Sequence, residues 1–139
     1  MTSFGQLASV RIDPEQARLR VQIDEAKSKL RLGGIYSFSR GYGASTAIME
    51  LCREFGAENC VVAVPNSKLM FHARNHWWWL FGSDVEPPII IVWQTDFDDN
   101  KLRGFEPSTK LFIDGCDRMS HNGPSREMLQ VFDFYAGVY

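Results

Sequence analysis

Pro88-Ile89-Ile90-Ile91-Val92-Trp93 contains no polar residue. A strand with that text has to be covered on both faces, which is the environment of a strand inside a parallel α/β sheet. The rest of the chain supplies companions. An apolar run at about 34–39 follows Gly33-Gly34, Cys60–Val64 is closed by Pro65-Asn66, and Lys110-Leu111-Phe112-Ile113-Asp114 forms a fourth run. Helical periods lie between them. Asp13 as N-cap and Pro14 at the first helical position open a helix that Gly33 stops. A second helix carries Ala47 to Phe55 and ends near Gly56, a third spans Ser67 to about Leu80, and a closing helix is expected from about Ser125 to Tyr135. Asp96–Asn100 reads as a polar loop. Strands alternating with helices predict an α/β domain spanning 1–139, with a mostly parallel sheet of about four strands, right-handed crossovers and an N-terminal helix. Residues 1–12 are weakly patterned and expected to be poorly ordered.

Bulk properties narrow the partners. The net charge is -2 and the pI about 5.9, so no global basic bias advertises nucleic acid. Cys52, Cys60 and Cys116 are an odd set without CxxC spacing, which predicts reduced thiols rather than a disulfide framework. No apolar run approaches the roughly 18–20 residues of a membrane span, and the N-terminus lacks the apolar core of a signal peptide. The expectation is a soluble, cytoplasmic domain.

Arg40-Gly41-Tyr42-Gly43-Ala44-Ser45-Thr46 sits between the first strand and its helix. Strand, glycine loop, Ser-Thr and helix is an order that aims backbone N–H groups and a helix N-terminus at a phosphate. In that reading Gly41 and Gly43 let the backbone approach the phosphates, and Ser45 or Thr46 offers a hydroxyl to Mg²⁺. The plainer reading is a glycine-rich turn whose Ser45 or Thr46 caps the helix. Asp114, at the end of an apolar strand some 70 residues on, suits a magnesium-holding carboxylate.

These segments resemble the P-loop ATPases of viral DNA packaging, the large terminase subunits, and related helicases. Residues 40–46 are similar to their "RGxGKST" loop, and Val62-Ala63-Val64-Pro65-Asn66 to the second-strand segment. Leu102-Arg103-Gly104 resembles the "RG" before the Walker B strand, and Leu111–Arg118 resembles "hhhDEadr". The likeness covers roughly residues 30–120. It implies a three-layer P-loop fold, ATP and magnesium as cofactors, phosphate contacts from residues 41–46 and metal contacts from Ser45 and Asp114. Two departures stand against it: Ala44 replaces the loop lysine, and Gly115 replaces the glutamate that orients the attacking water. The resemblance thus implies a hydrolysis-deficient, viral or mobile-element protein of the host cytoplasm that binds nucleotide weakly, if at all, and acts mainly by binding another macromolecule. An alternative is an active ATPase using Arg40, or a partner's residue, as the cation.

His72 and His76 are four apart on one helix face, as zinc ligands are, but without a third ligand they read as solvated or hydrogen-bonded histidines. Trp77-Trp78-Trp79 cannot all face one core. These tryptophans are expected at a protein interface or self-association surface, and alternatively, with Lys68 and Arg74, at a stacking platform for single-stranded nucleic acid.

Overall fold

The computed structural model describes residues 13–38, 42–92, 105–115 and 129–138. Helix α1 (Pro14–Leu30) starts where the Asp13 carboxylate accepts the Glu15 N–H at 3.0 Å and stops before Gly33, at φ 82°. Strand β1 (Gly34–Tyr36) leads through the loop to α2 (Ala44–Phe55), which ends at Gly56. A 3₁₀ turn connects to β2 (Cys60–Val64). The Asn66 side chain then caps α3 (Ser67–Phe81) by accepting the Leu69 N–H at 2.9 Å. Strands β3 (Ile89–Val92), β4 (Lys110–Asp114) and β5 (Phe134–Val138) follow.

All five strands are parallel, in the order β1-β5-β4-β2-β3. The fifth corrects the sequence reading, which assigned residues 125–135 to a helix: Phe134 and Tyr135 begin a strand, and residues 125–128 lie outside the described residues. Gly137 lets β5 fit between β1 and β4, since a Cβ would stand 2.8 Å from Ile113 Cβ and 2.9 Å from Ile35 Cδ1.

The strands are buried on both sides, as their text requires. Val62, Val64, Ile90, Phe112, Ala136 and Val138 face all three described helices and pack with Ile23, Leu30, Ile48, Leu51 and Trp77. Val61, Ala63, Leu111 and Ile113 face the other way, toward Phe105, Leu129 and Phe132. The split follows from handedness. The connections β1→β2 and β2→β3 run across the sheet in one direction and carry α2 and α3; β3→β4→β5 runs back. Right-handed crossovers in opposite directions must lie on opposite faces. The neighbouring strands β2 and β4 end side by side at a crevice lined by Val64, Asp114 and Gly115, the usual ligand position in such sheets.

Helix α1 is tied to α2 by charge. Arg20 donates to both oxygens of Glu50 at 2.7 Å, Lys27 donates to Glu50 and Glu54 at 3.1 and 2.6 Å, and Arg31 donates to Glu54 at 2.6 Å. Among the described residues no helix is long and apolar enough to cross a membrane.

Candidate functional site

A cavity of about 280 Å³ opens at that crevice. Val64 ends β2 and Asp114 ends β4 at its floor; Ser45 and Met49 come from α2, and Leu69, His72 and His76 from α3. The parallel sheet brings Ser45 and Asp114 together although nearly 70 residues separate them, because β1 and β4 end at the same edge of the sheet. Ser45 and Asp114 line the same cavity. Burial pushes the Asp114 carboxyl above its ordinary value, while the nearby Ser45 hydroxyl and the field of His76 pull it down.

Thr46, on the next position of α2, bonds through Oγ1 to His76 Nε2 at 2.9 Å. Burial pushes the His76 imidazole below its ordinary value, opposed by Asp114. His76 is hydrogen-bonded, as the sequence reading expected; what that reading missed is that His76 and Leu69 line this cavity. The signal available was their position on the helix that leaves the carboxyl end of β2. Among the described residues no group of three or more His, Cys, Asp or Glu is arranged to hold a metal, so the His72–His76 spacing does not build a zinc site with them.

The glycine loop has a different anatomy from the one its text suggests. Gly43, with φ 81°, is the N-cap of α2 and provides no side-chain cap, and the first turn of the helix carries no acidic residue. The N-cap position falls on Gly43 rather than on Ser45 or Thr46: Ser45 lines the cavity and Thr46 bonds to His76. Among the described residues no side chain caps the first-turn N–H groups or sets a carboxylate at the positive end of the helix. What demands glycine at 43 is α1 as well as the turn, since a Cβ there would stand 2.5 Å from Ile23 Cγ1. Tyr42 turns toward α1: its hydroxyl donates to Glu25 and its ring stacks on Phe38 at 5.4 Å. Tyr42, Gly43 and Ala44 are not among the lining residues. Arg40, Gly41, Cys116, Asp117, His121 and the segment Leu102-Arg103-Gly104 lie outside the described residues.

Gly115 also carries a positive φ, 93°, and a Cβ there would meet Pro65 Cγ at 3.3 Å. A glutamate is not merely missing; the backbone at 115 disfavours any side chain.

The three tryptophans separate. Trp77 is fully buried, its indole N–H donating to the Val85 carbonyl at 2.9 Å and its ring meeting Phe81 edge-on. That removes it from the expected interface: it stands on the core side of α3. Trp78 and Trp79 are 40% and 82% exposed, and Phe71, one helix repeat before Trp78, is 61% exposed. The free thiols Cys52 and Cys60 are buried.

No protein-family model matches the chain, and no curated protein sequence matches it.

Proposed function

We propose that this chain is a P-loop-type domain that holds a nucleoside phosphate weakly and does not turn it over, and that it works by binding a macromolecule. The observation that carries this reading is the meeting of Ser45 and Asp114 in one cavity at the start of α2. A hydroxyl from the first turn after a glycine loop, near a carboxylate ending another strand of the same parallel sheet, is the pair that holds magnesium in P-loop nucleotidases. The two groups fit such an ion, a hard cation that takes oxygen ligands and keeps several waters. Ser45 and Asp114 would hold it, and bound there it would neutralise phosphate charge against Asp114. The first-turn N–H groups of α2 would receive the phosphate oxygens.

Loss of turnover follows from residues that are absent. Ala44 offers no cation to the outer phosphates, and Gly115 offers no group to orient water. Each deficiency typically costs several kcal/mol of transition-state stabilisation. Thermal denaturation with and without Mg-ATP tests the binding half, since a ligand held by the native state raises its melting temperature. A rise of a few degrees at millimolar Mg-ATP, with phosphate release at the buffer rate, is the expected result. No rise would end the nucleotide reading. Phosphate release well above background, lost in Arg40→Ala, would make the chain an active ATPase instead.

A further inference from the structure

Helix α3 turns Lys68, Phe71, His72, Asn75, Trp78 and Trp79 to its outward side, opposite buried Ala73 and Trp77, and all six are exposed. Three large rings on one solvent face, 40–82% exposed, are far more than the scattered apolar residues of an ordinary surface. The charge along this face is directional. Lys68 stands at its start, α3 contains no carboxylate, and exposed Asp84 and Glu86 follow just beyond Gly82. Along the chain, cation and rings thus occupy a helix about 22 Å long and carboxylates come directly after it.

Such a face is complementary to itself in one orientation. Two copies related by a two-fold axis through Asn75 run antiparallel, so the rings meet in the middle. Lys68 then lies beside Asp84 and Glu86 of the partner subunit. A parallel pairing would oppose like charges. From these positions we infer that the chain forms a two-fold dimer through antiparallel α3 faces, an isologous contact in which each copy uses the same patch. The inference does not depend on whether nucleotide is bound.

The scale is that of a weak complex. The exposed parts of Phe71, Trp78 and Trp79 amount to roughly 400 Å² per copy. With its rim the interface reaches about 1,000–1,200 Å² in total, the low end for specific contacts. Dissociation in the range of roughly 10–100 μM is expected.

Sedimentation equilibrium across that range tests the inference. Wild type should pass from monomer to dimer. Trp79→Ser, at a site too exposed to disturb the core, should weaken the dimer about tenfold or more. Lys68→Glu should weaken it several-fold by opposing the partner subunit's Asp84, and adding Asp84→Lys should restore it. A chain monomeric at every concentration would overturn the inference, as would a dimer indifferent to both single variants. Failure of the charge swap to restore association would overturn the antiparallel register. The rings and Lys68 also match a single-stranded nucleic-acid platform. If the monomer binds oligonucleotides with steep salt dependence, and does so through Trp79, the face belongs to that partner and the dimer is refuted.

Discussion

Ala44 and Gly115 are each one side chain short of a working nucleotidase, but they are short in different ways. Ala44 opens a helix and is half-buried, so its backbone, unlike that of Gly115, accepts a longer side chain. Ala44→Lys should therefore tighten Mg-ATP binding by roughly tenfold or more, the scale of a hydrogen bond between charged partners, measured by titration calorimetry. Gly115 holds φ 93° against Pro65. Gly115→Glu should destabilise the fold by roughly 1–2 kcal/mol in urea unfolding and leave phosphate release at background even when combined with Ala44→Lys. Rescued turnover in the double variant would show that the backbone at 115 adapts. The text revealed that both side chains were absent. It did not reveal that only one can be returned, because a positive φ is a property of the assembled turn.

At the scale of elements, α1 sets the shape of the glycine loop. Ile23 occupies the space a Cβ of Gly43 would need, Glu25 accepts from Tyr42, and Lys29 stands 5.7 Å over the Phe38 ring. The ion pairs to α2 hold that clamp. Arg20 first, then Lys27, hold the Glu50 carboxyl below its ordinary value, and Lys27 with Arg31 does the same for Glu54. Burial would push the Lys27 ammonium down, but Glu54 and Glu50 outweigh it and raise it. Lowered carboxyl values mean that this stabilisation is present in full above the ordinary carboxylate range and is lost as the pH falls through the lowered values. Urea midpoints should accordingly drop on acidification below about pH 4.5, more steeply in wild type than in Glu50→Gln. At pH 7 Glu50→Gln should cost about 1–2 kcal/mol, less than a fully buried pair because Glu54 still faces Lys27. Equal acid slopes in the two proteins would contradict the clamp. Helix α1 was legible from Asp13-Pro14 and Gly33, yet its partner was not, since nothing in the sequence says which helix Arg20, Lys27 and Arg31 face. The error at β5 has a related cause: Phe134 and Tyr135 fit either period, and only the slot between β1 and β4 decides for a strand.

For the whole molecule, the parallel sheet was readable from the purely apolar β3, and β2 and β4 had the bounds expected. Strand order was not readable, because it depends on which crossovers return across the sheet. That order sets the carboxyl ends of β2 and β4 side by side at the cavity. It also brings Ser45 to Asp114, the encounter on which the nucleotide reading rests. The Ser45 and Asp114 assignments came from the glycine loop and the strand-ending aspartate. His76 joined them through packing alone, because α3 lies beside α2 on one face. The measurement that bears most directly on the account is calorimetric titration of wild type and Asp114→Asn with ATP, each with magnesium and with chelator. Heat that appears in wild type only when magnesium is present, and is lost in Asp114→Asn, is the expected result. Binding that ignores both magnesium and Asp114, or no binding in any of the four titrations, would contradict it.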